Sequence, residues 1–116
     1  MVPTIIAVGA AAFVLFMVMR ARVTSEFIDG AKARSLVEGG AVLLDVRSPA
    51  EFADGHVDGA KNIPHDEVAA RTSEVGSTDT TVVVYCRSGI RSSRAKAALE
   101  SAGFTDVHNL GGMDRW

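Results

Sequence analysis

An α/β domain, a parallel sheet covered by helices on both faces, is the fold class this chain predicts, and three observations predict it. Beyond Arg22, short apolar or β-branched runs alternate with short helical patterns. Ala41-Val42-Leu43-Leu44 and Thr80-Thr81-Val82-Val83-Val84-Tyr85 are continuous rather than alternating runs, which suits strands buried on both faces. Helices of a few turns separate these runs, the length that right-handed crossovers between parallel strands require.

The first 22 residues are a different material. Val2 to Met19 carries no charge and almost no polar side chain apart from Thr4. As a helix its 18 residues would reach about 27 Å, close to the hydrocarbon thickness of a bilayer. A cleaved signal peptide needs basic residues before its apolar run and a small-x-small site after it, and this run has neither. Residues 1–22 are therefore expected to form one transmembrane helix, in contact with the bilayer through residues 2–19. Arg20 and Arg22 follow the run, so positive flanks place the following domain, residues 23–116, on the cytoplasmic side.

The elements of that domain follow in order. Glu26-Phe27-Ile28 is a short strand candidate. Asp29 caps a helix from Gly30 to Glu38, with Ala33, Leu36 and Val37 on its apolar side, and Gly39-Gly40 stops it. Residues 41–44 form a covered strand. Pro49 opens a short helix in the favoured first turn. Lys61-Asn62-Ile63-Pro64 reads as an edge strand and residues 66–71 as a short helix. Residues 80–85 are the clearest strand. Ala95, Ala98, Leu99 and Ala102 repeat at helical spacing, and Gly103 ends that helix. Residues 106–110 make a last strand.

Composition limits the function. At 116 residues there is room for one small domain. Net charge is −2. Without Arg20 and Arg22, 10 of the 12 basic side chains remain against 14 acidic ones, a net of −4. No basic patch with interleaved aromatics occurs, so nucleic acid is not an expected partner. One cysteine excludes an internal disulfide framework and a cysteine-based zinc cluster. His56, His65 and His108 are too scattered to suggest a metal site, and no cofactor is expected.

The chemistry concentrates in Cys86-Arg87-Ser88-Gly89-Ile90-Arg91. The cysteine sits where a buried strand ends and a helix begins, where backbone N–H groups and the positive end of the helix dipole converge on an anion or a thiolate. Arg87, Arg91, Arg94 and Lys96 follow with no acid before Glu100, which favours the nucleophilic form of a thiol. A lone cysteine is more often an inert small hydrophobe, but such residues rarely open a glycine turn crowded with arginines.

Four ordered blocks resemble a single-domain rhodanese: residues 44–52 (LDVRSPAEF), 55–64 (GHVDGAKNIP), the cysteine loop, and 110–113 (LGGM). The resemblance spans roughly residues 26–116. It implies a three-layer sandwich around a five-stranded parallel sheet, and sulfur transfer. Cys86 would take the outer sulfur of a small anionic donor such as thiosulfate, become a persulfide, and pass that sulfur to cyanide or a thiol acceptor. Arg87 and Arg91, with the N–H groups of Arg87, Ser88, Gly89, Ile90, Arg91 and Ser92, would hold the dianionic donor and the leaving sulfite. Gly89 lets the loop turn, and Ser88 and Ser92 add hydroxyls. Asp45, at a strand end, is expected to orient the loop or a substrate. Arg47 and Glu51, four apart, are expected to pair. His56 is assigned to fixing its loop through a backbone bond. Met113 and Trp116 are assigned to apolar contacts. Family members commonly continue past the Gly-Gly-Met-x-x-Trp stretch into a further helix, so one sheet face is expected to be bare, or covered by the membrane, a second copy or a partner.

Phosphatases of the same fold class place five residues between cysteine and arginine. Only four lie between Cys86 and Arg91, a ring better sized for one sulfur atom than for a phosphoryl group. The remaining alternatives are a membrane-tethered module that binds or regulates a partner without turnover, and a redox sensor.

Overall fold

The computed structural model describes residues 27–116. The expected anchor over residues 2–19 lies outside them, and among the described residues no helix is long and apolar enough to cross a membrane. The element order is α1 (Gly30–Glu38), β1 (Val42–Asp45), α2 (Pro49–Asp54), β2 (Lys61–Asn62), β3 (Val82–Cys86), α3 (Ile90–Ser101) and β4 (Val107–Gly112). The four strands form one parallel sheet in the order β2-β1-β3-β4.

Among the described residues the sheet has four strands where five were expected. The Glu26-Phe27-Ile28 candidate contributes a single bridge, Phe27 to Asn109, beside β4. The reason is local. Asp29 caps α1, accepting a hydrogen bond from Lys32 N at 2.7 Å, so the chain turns into the helix directly after Ile28. The expected helix over residues 66–71 is also shortened, to a 3-10 turn at Val68–Ala70 followed by another at Thr72–Glu74. Neither has a side-chain cap, and so short a segment does not sustain an α-helix by itself. β2 is short, Lys61–Asn62, and at this sheet edge Ile63 N and His65 N still donate to Asp45 O and Val46 O, with Pro64 between them where no ladder bond is needed.

Alternation along β3 divides the core. Val82, Val84 and Cys86 face a cluster with Leu44, Val46, Ile63, Val68, Ala95 and Leu99, under α3. Val83 and Tyr85 face the other way, onto Ala33, Leu43 and Leu110 under α1. All five β3 residues are fully buried, as a strand covered on both faces should be. Burying each of the larger apolar side chains contributes about 1.5–3 kcal/mol. The register brings Asp45 opposite Tyr85 and Cys86 opposite Gly112. The ends of β1, β3 and β4 thus meet at one edge, where ligands bind in open α/β sheets.

Candidate active site

Three strand ends build the site. Cys86 is the last residue of β3, and Gly89 caps α3 with φ +100°, a left-handed conformation that glycine adopts readily. The chain therefore turns back over the thiol within three residues. Gly89 N donates to Cys86 Sγ at 3.0 Å, and Ser92 Oγ lies 3.4 Å from the same sulfur. No side chain caps α3, which leaves its first amides available for an anion. Burial pushes the Cys86 thiol up. The Ser92 hydroxyl and the amides of Ser92, Gly89 and Ser88 outweigh it, and the thiol pKa falls below its ordinary value.

The Gly89 peptide is held on its other side too. Its carbonyl accepts from Ser92 Oγ at 3.1 Å and from Ser93 Oγ at 2.7 Å. Ser93 in turn accepts from Asn109 Nδ2 at 3.1 Å, while Asn109 Oδ1 receives Gly111 N at 2.9 Å. Asn109 is a buried polar side chain from β4 whose amide thereby finds partners on both ends.

The two loop arginines differ. Arg91 is clasped by Glu51 of α2, with nitrogens 2.6 and 3.0 Å from the two carboxylate oxygens. This guanidinium, together with the Ser48 amide, holds the Glu51 carboxyl well below the usual carboxylate range, at about 2. Arg87 is exposed, and among the described residues no ion pair engages it. It lines a cleft of about 490 Å³ with Arg47, Glu51, Asp54, Met113 and Asp114. Met113, assigned to apolar contacts, stands at that cleft and also packs against the α1-side core. Ile90 projects its side chain into solvent, 63% exposed, beside the loop.

Arg47 does not pair with Glu51. Ser48 is the N-cap of α2, so Arg47 precedes the helix and the i,i+4 geometry never forms. Its guanidinium turns inward onto Asp45, with Nη2 2.7 Å from Oδ2 and Nε 3.1 Å from both oxygens, and Nη2 also donates to Gly55 O. Asp45 is fully buried and also accepts from Arg47 N at 2.9 Å, so it orders the β1–α2 turn and is not presented to a substrate. The Tyr85 hydroxyl receives Val57 N at 3.1 Å, and burial together with the nearby Asp45 carboxylate holds its pKa well above the ordinary value. His56 is exposed, with Nδ1 2.8 Å from Phe52 O and its ring stacked 3.7 Å from that of Phe52. Ser88 is exposed, and its contribution to the thiol is its amide.

Several participants were not anticipated from sequence: Glu51 as the partner of Arg91, Asn109 and Ser93 behind Gly89, and Phe27 against the loop. Only the first had a local signal. Ser48-Pro49-Ala50-Glu51 is a capping box, and both of its reciprocal bonds are present. It places Glu51 on the first turn of a helix that begins after Arg47.

The rhodanese-like domain family model matches residues 29–116. The chain is 44% identical over 77 residues to the uncharacterized protein YqhL of Bacillus subtilis, covering 66% of this chain and 60% of that one, less than two thirds of the relative's length. It is 44% identical over 71 residues to the thiosulfate sulfurtransferase PspE of Escherichia coli, covering 60% of this chain and 68% of that one. Among solved structures, a rhodanese with anions from E. coli superposes with a TM-score of 0.63 at 40% identity, over 66% of this chain and 92% of that one.

Proposed function

This chain belongs to the family of rhodanese-like domains, and from that premise we propose that it is a sulfurtransferase that carries sulfane sulfur on Cys86. The observation that carries the reading is the thiol itself. Its sulfur receives the Gly89 amide at 3.0 Å, inside a turn whose donors lower its pKa despite full burial.

In the first half-reaction the Cys86 thiolate attacks the outer sulfur of thiosulfate or of a persulfide donor. A new S–S bond forms to Cys86, and the donor's own bond to that sulfur breaks. Its electron pair leaves with sulfite, or with a thiolate. The terminal sulfur of the persulfide is then anionic, and the amides of Ser88, Gly89 and Ser92 stabilise it as they do the thiolate. In the second half-reaction a thiolate or cyanide attacks the terminal sulfur, and Cys86 leaves as the thiolate that began the cycle. No redox partner or cofactor is needed, because electrons balance between donor and acceptor.

Arg87 supplies exposed positive charge at the mouth, where a dianionic donor enters and sulfite leaves. Arg91 stands closer to the loop, but Glu51 neutralises much of its charge, so its contribution is directional. The uncharged run Val2–Met19, followed by Arg20 and Arg22, supports delivery of sulfur at a bilayer from the cytoplasmic side. Retention of the chain in the membrane pellet after carbonate extraction is the expected result; release would remove that part of the reading.

The function is tested by incubating the full chain with thiosulfate and cyanide and following thiocyanate. Turnover that disappears in Cys86→Ser is expected. Absence of turnover with thiosulfate, mercaptopyruvate and glutathione persulfide alike would leave a non-catalytic module.

A further inference from the structure

The loop glycine that addresses the sulfur is itself seated on an aromatic ring sixty-two residues earlier in the chain, Phe27. A Cβ placed on Gly89 would meet three atoms first, and all three belong to the Phe27 ring, with Cζ in overlap. A Cβ on Gly111, at the end of β4, would lie 2.9 Å from Cδ2 of the same ring. Both glycines have positive φ, +100° and +89°, so the ring fills the space that their missing side chains leave. Phe27 is anchored there from behind. Its backbone bridges to Asn109, Ile28 N donates to Asn109 O at 2.9 Å, and the Arg115 guanidinium lies 5.6 Å from the ring centroid. Arg115 is fixed in turn by donating to Leu110 O at 2.7 Å and to Ile28 O at 3.1 Å.

A ring used only to fill a core would be enclosed, but Phe27 is 39% exposed and belongs to neither apolar cluster of the core. Its contact is with Gly89, whose N–H lies 3.0 Å from Cys86 Sγ, and with Gly111 beside it. Glycine with positive φ is the freest residue of the backbone. The Gly89 peptide is restrained at its carbonyl by Ser92 and Ser93. The ring restrains the Cα, and together these fix the direction of the N–H. Gly89 is buried, and low local polarity strengthens a hydrogen bond to an anion.

We propose that Phe27 is a positioning residue for Cys86, acting through Gly89 by holding the glycine amide on the sulfur. The inference rests on Cys86 being the reacting thiol of the proposed function. Its test reads the thiol directly, so its outcome is separate from whether sulfur is transferred.

The experiment measures the rate of Cys86 alkylation by iodoacetamide against pH in the full chain and in Phe27→Ala, Phe27→Leu and Phe27→Tyr. Loss of the ring releases the Gly89 amide, so the midpoint for thiolate formation moves up in Phe27→Ala by about half a pH unit or more, roughly a threefold fall in thiolate below the midpoint. Phe27→Tyr keeps the ring and the parental midpoint. Circular dichroism establishes folding, and if Phe27→Ala does not fold, Phe27→Leu, which keeps apolar bulk without the flat ring, decides in its place. A folded deciding variant whose midpoint stays unchanged or falls overturns the proposal, as does a Phe27→Tyr midpoint that moves with it. A purely structural role for Phe27 lowers the melting temperature and leaves the midpoint alone.

Discussion

Glu51 and Arg91, forty residues apart, form a two-pronged ion pair that fastens α2 to the first turn of the helix behind the cysteine loop. Both side chains are about one-quarter to one-third exposed, at 30% and 27%, so the pair is neither a solvated surface contact nor a buried one. Its bidentate form fixes the direction of the guanidinium more than it adds stability.

The pair gives the protein an acid-sensitive element. The Glu51 carboxyl titrates at about 2, below its ordinary 4.5, so it stabilises the fold above the ordinary value and loses that contribution as pH falls toward 2. Glu51→Gln is expected to flatten the fall of stability in that window, read as the denaturant midpoint at several acid pH values. Equal acid dependence in the two proteins would show that the pair does not hold the fold.

Arg87 and Arg91 are expected to fail differently. Arg87→Ala removes an exposed cation worth up to about 1 kcal/mol to an arriving anion, so KM for thiosulfate rises by up to about fivefold with kcat little changed. Arg91→Ala strips Glu51 of its partner and leaves an uncompensated carboxylate beside the loop, so kcat falls. Steady-state kinetics with thiosulfate varied separates the two, and the reverse assignment would contradict the geometry.

Ser92→Ala removes the hydroxyl 3.4 Å from the sulfur while leaving the backbone amides. Its defect is expected to be larger at acid than at alkaline pH, because the Ser92 hydroxyl lowers the pKa of the thiol and its loss favours the protonated form. A rate loss uniform in pH would assign Ser92 to packing instead.

Asp45 is the place where the fold itself is most exposed to mutation. Asp45→Ala leaves the Arg47 guanidinium buried without its carboxylate, and unfolding in denaturant is expected to register a loss of about 3–5 kcal/mol. Asp45→Asn keeps an acceptor for Arg47 and loses less. A loss below 1 kcal/mol in Asp45→Ala would mean that Arg47 finds other partners.

What was legible in the sequence was what local spacing encodes. The β-branched run announced β3, the glycine after Cys86 announced a turn into a helix, and Asp29 and Pro49 marked two helix starts, so the cysteine's place at a strand-to-helix junction was readable. Pairings between distant segments were not. Arg47 and Glu51 had the right spacing for an ion pair, but that spacing counts only inside one helix, and the helix begins between them. Asn109 reaches Ser93, and Phe27 reaches Gly89, because β4 lies beside β3 and Phe27 lies beside β4, an adjacency that sheet order creates and chain order hides. Among the described residues the fifth strand is one bridge, because the chain leaves the sheet at Asp29 to begin α1.

The most direct measurement is the intact mass of the full chain after thiosulfate treatment in the absence of an acceptor. A gain of one sulfur atom, mapped to Cys86, released by cyanide and absent from Cys86→Ser, is the predicted result. An unchanged mass, or an added sulfur that persists in Cys86→Ser, would contradict a donor-accessible thiolate in the Gly89 turn.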